Sequence, residues 1–109
     1  MEIAHDGEIT SVLIDSRFDT LTSKEIEARL MEVVDGGCKR MLCDFSKTEY
    51  ISSAGLRVML STAKKIQKNG GKMSLACMKP FVYDVFKMAG FTQIFDIHET
   101  KEQAMASLK

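Results

Sequence analysis

The spacing of apolar residues changes several times along this chain, and each change marks an element. Met1 to Ile3 and Glu8 to Asp15 have a strand-like composition, separated by Asp6-Gly7, a hairpin signal because glycine takes positive φ without a Cβ penalty. Thr22-Ser23-Lys24-Glu25 has the T-x-x-E form of a capping box, and Ile26, Leu30, Val33 and Val34 then recur at helical spacing until Gly36-Gly37. Arg40 to Phe45 is short and apolar, as expected of a strand covered on both faces. Leu56, Met59, Leu60, Ala63 and Ile66 form one stripe of a second helix, opposite Arg57, Ser61, Lys64, Lys65 and Lys68, and Asn69-Gly70-Gly71 stops it. Val58 falls off that stripe and is expected to be partly exposed.

Lys72 to Met78 reads as another strand, and Pro80 suits the first position of a third helix ending at Gly90. Ile94 to Ile97 reads as a short last strand, and Thr100 to Gln103 repeats the capping-box form before a helix with Ala104 and Leu108 inside. The order β-β-α-β-α-β-α-β-α makes the central strands parallel, because each helical crossover returns the chain in the same direction. The expected fold is α/β: one domain over residues 1–109, with a mixed four- to five-stranded sheet, an N-terminal hairpin and about four helices.

Composition narrows the function. With 109 residues, 45% of them hydrophobic, the chain can bury one core and hardly two, since domains hold about 100 to 150 residues. Fifteen Lys plus Arg balance fifteen Asp plus Glu, so no overall positive field gathers nucleic acid or an anionic membrane. The first ten residues lack a basic stretch followed by an apolar run, and nowhere are about 18 apolar residues consecutive; a cytoplasmic protein without membrane insertion is expected.

Cys38, Cys43 and Cys77 show no C-x-x-C spacing and read as structural, Cys43 and Cys77 as small core hydrophobes. His5 and His98 are isolated, so no metal is expected and no cofactor is implied. Met31, Met59 and Met88 read as core filler. Lys64, Lys65 and Lys68 read as a solvated helix face.

Chemistry concentrates at the joint between the Arg40–Phe45 strand and the second helix, where Ser52 and Ser53 stand together. In open α/β sheets, sites gather at the C-terminal ends of parallel strands. Three roles are open to these serines. Either hydroxyl can cap the free N–H groups of the helix, worth about 1 kcal/mol. Ser53 as a hydrolase nucleophile would need glycine at position 51 of a G-x-S-x-G elbow, where Ile51 stands, and no histidine is near in sequence. Ser53 as a phosphoryl acceptor would place about −1.5 to −2 charge where the helix dipole tolerates an anion, altering the surface without breaking the fold.

Asp44-Phe45-Ser46 followed by Ile51-Ser52-Ser53-Ala54-Gly55-Leu56-Arg57 resembles the signature of the STAS family, the sulfate transporter and anti-sigma factor antagonist domains. The resemblance covers the whole chain, including Asp19, Gly70-Gly71, and Pro80, Val82, Phe86 and Gly90 in the pattern P-x-V-x-x-x-F-x-x-x-G. It implies a free-standing anti-sigma factor antagonist, whose unphosphorylated form binds an anti-sigma factor that is also a serine kinase and so releases sigma factor. Phosphorylation breaks that complex and a PP2C-type phosphatase restores it.

Carried across, the acceptor is Ser53, two positions before Gly55, with Ser52 a possible second site. Asp19 matches an acidic residue near the acceptor, and the implied partner surface comprises Asp19, Tyr50, Ile51, Ser52, Ser53, Ala54, Gly55, Arg57 and Val58. The protein supplies no catalytic group in this scheme, because it is the kinase's substrate. Ser52 stands where many family members have Asp, and Ser16 where glycine is common. A constitutive STAS subunit of a membrane lipid-transport complex is the alternative. A small enzyme or nucleotide-binding protein lacks support, since the chain has no Walker A, G-x-G-x-x-G or metal spacing.

Overall fold

A computed structural model describes residues 1–109. Strands β1 (Glu2–Asp6) and β2 (Ile9–Leu13) form the antiparallel hairpin, Asp6 pairing with Ile9 across a turn whose Gly7 has φ +62°. After a two-residue strand β3 (Arg17–Phe18) come α1 (Ser23–Asp35), β4 (Arg40–Asp44), a second two-residue strand β5 (Tyr50–Ile51) and α2 (Ser53–Lys68). Then follow β6 (Lys72–Ala76), α3 (Pro80–Met88), a 3-10 turn at Phe91–Gln93, β7 (Asp96–His98) and α4 (Lys101–Leu108).

The main sheet has five strands in the order β1-β2-β4-β6-β7, with β2, β4, β6 and β7 parallel. This is the mixed sheet with four helices that the hydrophobic pattern predicts. Alternation along β4 explains why its sequence is continuously apolar. Met41 and Cys43 join the larger core with residues of α1, α2 and α3, while Leu42 joins Ile9, Ala76, Ala104 and Leu108 in a smaller core that includes α4. No helix is long and apolar enough to cross a membrane.

Several local expectations shift under tertiary contacts. Val58, expected at the surface, is 6% exposed, because α1 packs along that side of α2 and widens its buried stripe. The capping box expected at Thr22 does not form: the Thr22 hydroxyl donates to the Arg17 carbonyl instead, at 2.9 Å. The box at Thr100 does form, with Gln103 N–H on the Thr100 hydroxyl at 3.1 Å and Thr100 N–H on the Gln103 amide oxygen at 3.3 Å.

The last strand starts two residues later than expected and ends one later, at Asp96–His98. Phe91 and Phe95 pack edge-on against Phe86, at ring separations of 6.2 and 5.8 Å, and this draws the intervening segment into the 3-10 turn. Met88 is 87% exposed rather than core filler, since α3 buries only Val82 and Phe86. Strand β6 ends at Ala76, short of Met78, because Cys77 takes φ +63°. Cys43 is fully buried as expected, and burial pushes its thiol pKa far up, whereas Cys38 and Cys77 are half-buried. Lys64 and Lys68 are exposed, and Lys65 pairs with Asp35 at 2.7 Å.

Candidate functional site

The joint before α2 is fixed by a feature the periodicity does not announce. β3 and β5 pair in parallel, Arg17 opposite Tyr50 and Phe18 opposite Ile51. Two-residue strands are too short to show alternation, so only the folded chain reveals them. Their hydrogen bonds run on into the loops: Glu49 N–H donates to the Ser16 carbonyl at 2.7 Å, and Ser52 N–H to the Phe18 carbonyl at 3.0 Å. The loop entering α1, with Asp19, is thereby tied to the loop entering α2, with Ser52 and Ser53, at the C-terminal ends of the parallel strands.

Gly55 is what lets the two loops approach. A Cβ there would fall 2.6 Å from the Phe18 carbonyl oxygen and 2.8 Å from Ile51 Cγ1, closer than atoms can pack. Asp19, Ile51, Gly55 and Val58 are all buried, so these four members of the expected partner surface lie beneath it rather than on it. Tyr50, Ser53 and Arg57 are exposed, while Ser52 and Ala54 are half-buried.

The two serines differ sharply. Ser52 is the N-cap residue, with extended backbone (φ −105°, ψ 177°), and its carbonyl accepts from Leu56 N–H at 3.0 Å. Its hydroxyl does not cap the helix; the oxygen is buried without a hydrogen-bond partner. Ser53, the first helical residue, is exposed. No acidic residue occupies the first turn of α2, so the partial positive charge of this 16-residue helix meets no carboxylate of its own. The end of the helix that carries Ser53 is open to an added anion.

Asp19 organises the neighbouring loop. Its carboxylate accepts from Leu21 N–H at 3.0 Å, from Thr22 N–H at 3.2 Å and from Arg17 Nε at 3.0 Å. Burial alone would raise its pKa, but these hydrogen bonds and the guanidinium charge outweigh burial and hold it below the ordinary carboxylate value. Arg17, absent from the sequence-based site, also lies over the Tyr50 ring at 5.1 Å from its centroid. Tyr50 in turn stacks on Phe81 of α3, and Lys79 pairs with Glu49.

A groove of about 440 Å³ between α1 and α2 continues this surface, lined by Ala54, Arg57, Val58 and Ser61 on one side and Ser23 and Glu27 on the other. A larger hollow of about 640 Å³ lies at the other end of the sheet, beside the start of β4, away from both serines.

Known proteins share this architecture. The STAS domain profile matches residues 1–104. The chain is 38% identical over 91 residues to a Bordetella bronchiseptica protein named as anti-sigma factor antagonist BtrV, covering 84% of this chain and 78% of that one. It is 24% identical to the anti-sigma F factor antagonist of Paenibacillus polymyxa, over 100% of this chain and 94% of that one. Among solved structures, an anti-sigma factor antagonist from Thermotoga maritima superposes with a TM-score of 0.92 at 17% identity, covering 98% of this chain and 92% of that one. By the profile match and by the Bordetella relative, this chain belongs to the STAS domain family.

Proposed function

We propose that this protein is an anti-sigma factor antagonist switched by phosphorylation of Ser53. In its unphosphorylated form it binds an anti-sigma factor that is also a serine kinase, and sigma factor is released. Transfer of the ATP γ-phosphoryl group to the Ser53 hydroxyl, with loss of the hydroxyl proton and departure of ADP, abolishes that complex. A PP2C-type phosphatase hydrolyses the phosphoserine and restores binding. The protein is the substrate in this cycle and acts in the cytoplasm.

The observation that carries this reading is the contrast at the joint: Ser53 exposed at an N-terminus with no acidic residue in its first turn, Ser52 with its oxygen buried. The relatives named anti-sigma factor antagonists support the partner class. Phosphorylation in place leaves the backbone free to stay as it is, because the dianion sits at the positive end of α2. The partner face is what changes. A hundredfold loss of affinity needs only about 2.7 kcal/mol, small beside the cost of burying an unpaired charge.

The test is the intact mass of the protein from its own cells, in growth and under stress, with fragmentation to locate phosphate, together with partner binding by Ser53→Asp. Phosphate at Ser53 that varies with condition, and a Ser53→Asp variant that no longer binds the kinase, are expected. Protein that never carries phosphate and a Ser53→Asp variant that keeps every partner would overturn the reading, and stable co-purification with a permease would then point to a transporter subunit.

A further inference from the structure

Helix α3 is nine residues long and buries Val82 and Phe86 on its inner side. On its outer side Phe81, Val85 and Met88 follow the i, i+4, i+7 spacing that lines side chains up along one face of a helix. Phe81 is 54% exposed and Met88 87% exposed, with the half-buried Val85 between them. A helix apolar on two sides is one that packs on two sides, and only the inner packing is made within this chain. The Phe81 ring is already held by stacking on Tyr50, 6.2 Å away and 18° from parallel, so little side-chain freedom remains for it to lose on association.

We infer that this outer face is a dimer interface, covered by α3 of a second copy of the chain running antiparallel. A two-fold axis requires the face to complement itself, and the order of side chains along α3 meets that requirement. With the axis at Val85, each Phe81 comes within one residue of the second copy's Met88, and aromatic and thioether groups attract. Each Asp84 likewise comes within one residue of the second copy's Lys87, about 1.5 Å along the helix, but lies two residues, about 3 Å, from its own counterpart. The attractive pairing is therefore the nearer one. Asp84 and Lys87 are three residues apart on one flank of the stripe; both are exposed and neither forms an ion pair within its own chain. Two helices of this length fall below the standard interface size, so the dimer is reversible and depends on concentration. Neither Ser53 nor α2 belongs to this face, and the inference stands apart from the reading of Ser53.

The test is sedimentation equilibrium of the full chain from about 10 μM to 1 mM, a range suited to weak complexes, with thermal melting as the folding control. The parent should show a reversible monomer–dimer equilibrium. Met88→Ser, Asp84→Lys and Lys87→Asp should each weaken it at least tenfold, and all three change exposed side chains. An equal mixture of the Asp84→Lys and Lys87→Asp chains should dimerise again, because each Lys of one chain then faces an Asp of the other. A parent that stays monomeric throughout overturns the interface. Dimerisation that Met88→Ser and Asp84→Lys leave untouched overturns it as well, by placing the contact elsewhere, and a mixture no stronger than either variant alone overturns the antiparallel register.

Discussion

The carbonyl oxygen of Phe18 stands 2.6 Å from the point that a Cβ on Gly55 would occupy. The same oxygen accepts the Ser52 N–H, so Gly55 lets one backbone group hold the start of α2 against the loop leaving β3. Gly55→Ala must push these loops apart or strain them, and overpacking of this kind costs about 1–3 kcal/mol. A lower urea midpoint with unchanged m-value is expected. An unaltered midpoint would show that the loops separate freely.

Ser52→Ala should behave unlike an N-cap truncation. Losing a functional cap costs about 1 kcal/mol, but the Ser52 hydroxyl makes no cap bond and its oxygen is buried unpaired. Equal or higher stability is therefore expected. The same variant should take up phosphate at the parent rate, whereas Ser53→Ala should take up none. A loss of about 1 kcal/mol in urea denaturation would restore the capping role, and slowed phosphate uptake would make Ser52 part of the acceptor site.

Asp19 gives the stability a defined pH dependence. Its pKa in the folded chain lies below the ordinary value of 3.8, so in the native state it holds its proton less readily than in the unfolded chain. Its contribution is fully present above that ordinary value and is lost as pH falls through it and then through the lower folded value. Asp19→Asn should be less stable than the parent near neutrality, and the difference should shrink on acidification from about pH 5 to pH 2. A difference that stays constant across that range would mean that the carboxylate charge is not what holds the Leu21 and Thr22 N–H groups.

Arg57 lies four residues after Ser53 on an exposed helix face, the spacing at which side chains meet. A phosphoryl group on Ser53 would gain this guanidinium as well as the helix N-terminus. The phosphorylated chain should therefore melt at or above the unmodified one, and Arg57→Ala should lower the melting temperature of the phosphorylated form by more than that of the unmodified form. Equal shifts would show that no such pairing occurs.

Much of this protein is determined by its sequence alone. Apolar spacing sets the four helices and the parallel core strands, because amphipathic periods of 3.6 and buried runs bounded by glycine hardly depend on distant contacts. The motif around Ser53, with Asp19 and Pro80 to Gly90, suffices to indicate the family. Tertiary structure decides the rest. Whether Val58 is covered depends on where α1 crosses α2, and whether Thr22 caps a helix depends on the Arg17 carbonyl beside it. The pairing of β3 with β5 joins two loops more than 30 residues apart through two-residue strands that carry no period of their own. Neighbouring serines of identical chemistry separate into one buried and one exposed oxygen because the Phe18 carbonyl fixes the Ser52 backbone, and that constraint comes from a residue 34 positions away.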